Sequence, residues 1–477
     1  MKLSHQNVPV FLTLVVAIST VGCAGYAGRV EGMRTALEAG NKPEALKQIN
    51  GAMELRDADD YPVDADSETS LLLLERAAVK QSVSMFRESS FDFRIADANI
   101  EFLDVQNNTV GEISKWIFSG DSGIYRAPAH ELLLMNTLNM LNYLAMSDLE
   151  SARVEARRFK LMQHYLADGA DEGMQSLGVL SFGDYLAGFT FEMSKRYEQS
   201  LQHYSDALSV NDYPSLDSVL PELAACTGYR NDAIQKKLDA LNQTADAGVA
   251  NSDTANSGAS RCTHPDRESG TILVISSVGL APYKQATRLP VGAAVVLAGA
   301  YLAPNEMAQA NDFAVKGLLK WVNFAELVQT PAKYNGVSVM VDSRSVPSEY
   351  GQNVAEVVKN AFEQTKGKLI AAAIVRMIAR AAAGAVTNNA VSSGSGKDGL
   401  GLLAQILVEG AMTVADTPDT RCWNALPSSI FVSRIEVPAG NHKISVQFQG
   451  AAGVDTVTQN VTVHPGGFAV VPVHQLR

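Results

Sequence analysis

The sequence predicts an α+β protein, with a helical-repeat N-terminal half and a mixed half that closes in β-structure. Three observations carry this. Apolar residues recur at helical spacing from Gly28 to about Leu238, almost without a strand signal. Composition shifts at Asn242–Ser260, where Ala, Ser, Asn and Gly dominate and Val249 is the one large apolar residue. The final stretch, from about Ser428, alternates apolar and polar with period two, broken by three turn signals.

Bulk properties bound the function. The 477 residues exceed what one hydrophobic core usually takes, so two or three domains are expected. Hydrophobic residues at 46% and charged residues at 19% describe a folded chain. With 39 Lys+Arg against 51 Asp+Glu the net charge is −12, which excludes a phosphate-tracking nucleic-acid binder. Only one stretch, near the start, reads as a membrane segment, which excludes a multi-span transporter.

Residues 1–22 read as a lipoprotein signal peptide. Lys2 precedes an apolar run from Val8 to Ile18, and Thr20-Val21-Gly22-Cys23 resembles a bacterial lipobox, with Thr20 where Leu is usual. Cys23 is then the lipidated first residue of the mature chain; the alternative is ordinary cleavage that leaves a free thiol. Ala24 follows the cysteine, and resemblance to Gram-negative lipoproteins implies outer-membrane sorting, because no Asp retention signal is present. At about 0.8 kcal/mol per buried methylene, several acyl chains make a durable anchor. Such an acidic body is expected to stand away from an anionic surface.

Residues 23–240 read as helical repeats. Gly188, Phe191, Tyr197, Ser200, Tyr204 and Ala207, with Pro214 beyond, resemble a tetratricopeptide repeat (TPR), in which small residues admit a second helix and aromatics fill the gap. Tyr143, Leu149, Ala152, Ala156 and Phe159 form another copy, and Pro43, Ala45, Ile49 and Ala52 a weaker one. The stretch 71–103 supplies a fourth pair. Ala45 to Ala152 spans 107 residues and Ala152 to Ser200 spans 48, against about 34 per standard repeat. The expectation is a degenerate TPR-like α-solenoid, whose concave surface binds proteins more often than it catalyses.

A flexible linker is expected over 241–265 and a mixed α/β domain over 266–477. Ile272–Ser276 reads as a buried strand and Asn335–Arg344 as another. The Ala-rich stretches Lys368–Val386 and Leu400–Ala415 read as a helical hairpin within about 350–416. Arg376 and Arg380, four apart, argue against its insertion in a bilayer. Residues 428–477 read as an antiparallel β-meander of about four strands, part of a sandwich that the 272–276 and 337–343 strands complete.

The chemistry scan is sparse. Cys226 and Cys262 flank the linker, so a disulfide would staple the junction; the alternative is two unpaired thiols. Cys422 is left over, buried beside Trp423. No cysteine spacing suggests zinc, no HExxH or GxSxG occurs, and His203 reads as a satisfied or solvent-facing histidine. The Gly394–Gly399 GxGxxG match follows a helix rather than a strand and reads as a loop. Asp57–Glu68 has an EF-hand-like acid spacing but carries Pro62 where Gly is required, so it reads as a solvated acidic loop. No cofactor, metal or catalytic group is expected.

Three segments carry a family resemblance. Asp148, Ala152, Glu155, Ala156, Arg157 and Arg158 form the first; Gly279, Ala281, Pro282 and Lys284 the second; Ala415, Asp416 and Asp419–Pro427, with Arg421 and Trp423, the third, interrupted by Thr417-Pro418. Through them nearly the whole mature chain resembles an uncharacterised family of bacterial TPR-like outer-membrane lipoproteins. The resemblance implies a periplasm-facing, lipid-anchored protein near cell-wall synthesis, with no activity attached. Locally, Glu155 and Arg158 are expected to pair along one helix, and Pro282 to fix a strand exit. Asp419 and Arg421 are expected to form a fork beside the Trp423 indole, which covers the sheet. The leading expectation is a scaffold that binds unidentified envelope proteins and no nucleic acid. The rival is an envelope enzyme or glycan binder using Asp416, Asp419, Arg421 and Trp423, and a third possibility is a hairpin inserted in the bilayer.

Overall fold

The computed structural model describes residues 25–102, 125–168, 180–246, 268–317, 319–392 and 418–477. The protein is α+β. Its N-terminal part is built from helix pairs: α1 (Tyr26–Glu38) with α2 (Lys42–Ala52), α3 (Ser67–Ser82) with α4 (Phe86–Asn99), α5 (Ala129–Ala145) with α6 (Leu149–Asp168), and α7 (Ser181–Met193) with α8 (Tyr197–Leu208). Two further helices, α9 (Leu220–Thr227) and α10 (Asp232–Asp246), follow. The expected linker therefore begins inside a helix, and its remainder lies outside the described residues.

One turn ends the first helix of each of the four pairs. Gly40, Ser84, Ser147 and Lys195 adopt left-handed backbone, at φ of 80°, 65°, 60° and 57°. In each case the next amide reaches back over the turn, Asn41 to Ala36 O at 2.8 Å, Met85 to Lys80 O at 3.0 Å, Asp148 to Tyr143 O at 2.8 Å and Arg196 to Phe191 O at 2.9 Å. These satisfy carbonyls that a helix end otherwise leaves open. Five residues after each left-handed position stands a small buried residue, Ala45, Ser89, Ala152 or Ser200. Ser89 Oγ donates to Ala77 O and Ser200 Oγ to Gly188 O, both at 2.8 Å, so the second helix of each pair lies close on the first.

The first helices of the later pairs are inside the molecule. Nearly every side chain of α3, α5 and α7 is buried. What covers them is a sheet from the C-terminal half, with strand order β12-β3-β9-β8: β3 (Ser269–Leu280), β8 (Glu349–Asn353), β9 (Pro427–Pro438) and β12 (Phe468–Gln475). Leu71–Leu74, Leu132–Met135 and Phe189 share one core with Leu273, Ile275, Ile430, Val432 and Val470. This core runs across the expected division between the halves. The other face of β3, through Ile272, Val274 and Val278, packs on a second sheet of order β11-β10-β6-β7. That sheet holds β6 (Gly336–Val341), β7 (Arg344–Val346), β10 (Gly440–Gly450) and β11 (Gly453–Val463). With apolar residues on both faces, β3 reads as a continuous hydrophobic run.

Two expectations need correction. The four C-terminal strands begin and end at the expected turns, but they do not form a meander. Only β10 and β11 pair as neighbours in sequence; β9 lies in the first sheet, and β12 returns there parallel to β3. The physical reason is burial: β12 is covered by the α3 and α5 helices as well as by the sandwich core, whereas an outer meander strand would keep a wet face. The 272–276 and 337–343 strands do join the sandwich, as β3 and β6. The first arm of the expected hairpin is one continuous helix, α13 (Val354–Ser392), which absorbs Asn388 and Asn389 where a turn was expected. Residues 385–392 hold neither proline nor glycine, so nothing there breaks the helix. Leu400–Ala415 lies outside the described residues. Minor elements are a two-residue parallel contact between β1 (Glu101–Phe102) and β2 (Arg126–Ala127), and a small cluster in which β4 (Tyr283–Pro290), β5 (Trp321–Val328), α11 (Val291–Ala298) and α12 (Pro304–Val315) pack on α13.

Glycines test the packing. A Cβ at Gly188 would lie 2.4 Å from the ring of buried Tyr204, whereas one at Gly51 meets nothing within 4 Å. Helix propensity alone favours alanine at both by about 1 kcal/mol. We expect Gly51→Ala to raise the melting temperature and Gly188→Ala to lower it, by about 1–3 kcal/mol of overpacking; equal gains at both sites would contradict this packing.

Candidate functional site

The segment Pro418–Leu426 has no regular structure, yet residues 421–426 are fully buried between the helices and the sheet. Its amides need partners, and two buried carboxylates supply them. Glu75 of α3 accepts from Asn424 N at 2.7 Å, Asn424 Nδ2 at 2.9 Å and the Tyr26 hydroxyl at 2.6 Å on one oxygen, and from Ala425 N at 2.7 Å on the other. Glu131 of α5 accepts from Trp423 N at 3.0 Å and from the Tyr125 hydroxyl. Burial pushes the Glu75 carboxyl up from 4.5 to about 7, although its four donors work in the opposite direction. Burial likewise raises Glu131, against the pull of Tyr125 and Trp423.

Beside this strap, Asp419 and Arg421 form the expected fork. Arg421 Nε and Nη2 each donate to Asp419 at 2.8 Å, and the Arg421 amide donates at 3.0 Å. Burial pushes the Asp419 carboxyl up, but the guanidinium more than offsets this and holds it below the ordinary range. Lys284 joins from β4: its Nζ donates to Arg421 O at 3.1 Å and its amide points at Cys422 Sγ, 3.3 Å away. Cys422 is unpaired and buried, its thiol raised to about 12 chiefly by burial, so it is no nucleophile at neutral pH. Lys284, Asp419 and Arg421 line a cleft of about 750 Å³ whose opposite wall is the start of α1, with Glu31 and Arg34. Arg34 lies over the Tyr283 ring at 3.2 Å.

The second and third motif segments thus meet. Gly279, at φ 64°, has no room for a side chain beside Ala332, and Ala281 N donates to Leu426 O at 2.9 Å, next to the Leu280–Pro427 pair at which β3 and β9 meet. Trp423 does not line the cleft; its indole is buried edge-on to Phe93, 5.8 Å between centroids, and so lies against the helices. The first motif segment is elsewhere. Asp148 caps α6 through Ser151 N at 3.0 Å. Glu155 accepts from Asn136 and Asn139 of α5 at 3.1 and 3.0 Å, and Arg158 stands 3.8 Å from Glu155 while also binding Asp97 of α4. Arg157 is exposed. Cys226 is disulfide-bonded. Cys23, Cys262, Asp416 and the Gly394–Gly399 loop lie outside the described residues.

Other candidates resolve into structural roles. His203 is buried, stacked on Phe191 and 3.4 Å from Asp184, with Asp206 close by. Lys160 Nζ, 2.7 Å from Asp206, and Gln163, 2.8 Å from Asp184, already supply the charge and donors that a cation would bring. In the acidic loop Asp66 caps α3, Asp60 closes a turn on the amides of Arg56 and Asp57, and Glu68 pairs with Arg29. Sequence reasoning missed Glu75 and Glu131. The available signal was a carboxylate inside an uninterrupted apolar helix, as in Leu71–Leu74 before Glu75 and Leu132–Met135 after Glu131, where an ion needs a partner.

Compared with family models, curated proteins and solved structures, the chain matches none.

Replacing a buried ion by a neutral isostere is often harmless, but here every contact is a donor aimed at an oxygen. Glu75→Gln turns one acceptor into an NH2 facing an N–H, so we expect a loss of about 2–3 kcal/mol. The folded carboxyl titrates above its unfolded value, so its proton-linked stabilisation is present below about pH 4.5 and is lost as pH rises through about 7. Urea melts across that window should show this slope in the wild type and less of it in the variant. A variant as stable as the wild type would refute the assignment.

Proposed function

We propose that the protein is an outer-membrane lipoprotein, held by acyl chains on Cys23 and facing the periplasm, whose TPR-like helical array docks another envelope protein, in wall synthesis or surface assembly. Membership of the family of TPR-like lipoproteins, suggested by the three motif segments, is part of this reading. The fourfold turn and its small-residue register support the TPR-like reading of the helix pairs.

The observation that carries the docking role is the outward face of α6. The array's inner face is filled by its own sheet, so a partner is left with the outer helices. Most of these show polar surface, but α6 presents Val154, Leu161 and Tyr165, exposed to 49%, 69% and 55%, interleaved with Arg157 and Arg158. Tyr and Arg beside aliphatics are the residue types that carry binding energy at protein interfaces.

A second reading is favoured by the cleft, which gathers Lys284, Asp419 and Arg421 beside a polar wall and fits a glycan or an envelope enzyme. Against it, Asp419 and Arg421 satisfy each other, and Trp423 offers the cleft no stacking face.

In cells, a photocrosslinker in place of Leu161 should trap one discrete envelope protein. Tyr165→Asp should weaken that adduct about tenfold with an unchanged melting temperature, and Cys23→Ala should abolish palmitate labelling. An unlabelled wild type, or an adduct indifferent to Tyr165→Asp, would overturn the proposal.

A further inference from the structure

We propose that α11, with the ends of α12 and β5, is a lipid-docking patch that lays the body of the protein on a phospholipid surface. The inference rests on the envelope location above for the identity of that surface, but not on the acylation of Cys23.

Helix α11 turns aliphatic side chains both inward and outward. A surface helix ordinarily turns its large aliphatics inward and its polar residues out. Helix α11, Val291–Ala298, buries Ala294 and Ala298 against α13 with Val291 and Val295 half-buried beside them, yet it also exposes Val296 and Leu297, Val296 to 82%. It has no polar side to turn outward, since no charged residue occurs between Arg288 and Glu306. Nor can it turn over. A Cβ at Gly367 of α13 would lie 2.6 Å from the Tyr301 ring and 3.2 Å from Leu297 O, so the end of α11 and the Tyr301 ring sit directly on α13 and fix the helix in this orientation. The exposed aliphatics therefore have to be covered from outside.

The surroundings of α11 say by what. Val315, 89% exposed, closes α12; Tyr301 and Trp321, each about half exposed, flank the helix, with Val291 N bonded to Lys320 O at 3.0 Å beside Trp321. Arg288 and Lys320 are exposed around these residues, and Lys316 is exposed in an ion pair with Asp312 at 2.6 Å. Aliphatics with Tyr and Trp at their margin and basic residues just beyond match the depth profile of a bilayer interface: acyl chains, then the carbonyl region, then anionic headgroups. A protein groove would not require that order. At eight residues the helix is about 12 Å long, so it lies in the interface and does not cross it. The expectation that the acidic body stands clear of an anionic surface is thereby reversed at this patch, where Arg288 and Lys320 border the aliphatics and Asp312 is already paired with Lys316.

The test uses the chain from Ala24 onward, which carries no acyl group, in co-sedimentation with vesicles of phosphatidylethanolamine and phosphatidylglycerol. The wild type should partition to the vesicles. Val296→Asp with Leu297→Asp should reduce partitioning at least about tenfold, and Arg288→Gln with Lys320→Gln severalfold, the latter loss vanishing on vesicles without phosphatidylglycerol. Melting temperatures of the Asp variants should stay at the wild-type value, because the residues are exposed. No binding by the wild type would overturn the proposal. So would Asp variants that still bind, or that melt early, since early melting means that another part of the chain covers the patch. Palmitate labelling and the α6 crosslink report separately on the proposed function, so the two readings fail independently.

Discussion

Two carboxylates inside the helical array fix how helices and sheet meet. Glu75 and Glu131 stand on neighbouring inner helices and take the amides of Trp423, Asn424 and Ala425, which belong to a segment nearly 300 or more residues further along the chain. A backbone segment without helix or strand cannot be buried unless its donors are met. A carboxylate meets several at once, and charge-assisted hydrogen bonds are about twice as strong as neutral ones. The same logic recurs where Glu192 of α7 binds Arg434 of β9 through two hydrogen bonds, at 2.6 and 3.0 Å, and Tyr204 at 2.6 Å, with both charges buried. Apolar burial supplies the bulk of the adhesion between helices and sheet; these fixed acceptors set its register.

That arrangement changes what the helix pairs can do. A free-standing array of such pairs exposes a concave face. Here α3, α5 and α7 spend that face on β12, β3 and β9, and the strap closes what remains. Among the described residues, the outer surface of α6, the cleft beside the start of α1 and the uncharged face of α11 stay open to solvent. The cleft lies next to the point at which the chain emerges from its N-terminal segment, Gly25 being the helix cap. A tether at Cys23 would thus attach close to the folded body, with little slack.

Much of this was legible from residue patterns, and what was not has physical causes. β3 announces itself because both faces are buried, which leaves an unbroken apolar run. The C-terminal turns are visible because Gly440, Gly453 and Gly466 take positive φ that other residues avoid. The repeat register was visible in Ala45, Ala152 and Ser200, since a small residue is needed wherever two helices approach closely. The turns between the helices were nearly silent, because Ser84, Ser147 and Lys195 adopt the left-handed conformation without glycine, at about 1–2 kcal/mol each. Strand partnership was not legible either: alternation says that β9 to β12 have two faces, but not which sheet each joins. The Asp419–Arg421 fork could be read because its members are two apart; Glu75 and its partners are separated by 349 residues, a distance no local pattern spans.

The account depends most on the strap being locked rather than merely lying in place. Hydrogen exchange of the intact chain at neutral pH reads this at the amides of Trp423, Asn424 and Ala425. They should exchange as slowly as those of β3, through unfolding of the whole body. Exchange as fast as at the exposed Ala451–Ala452 turn would mean that the two buried carboxylates do not join the halves, and the account would fail.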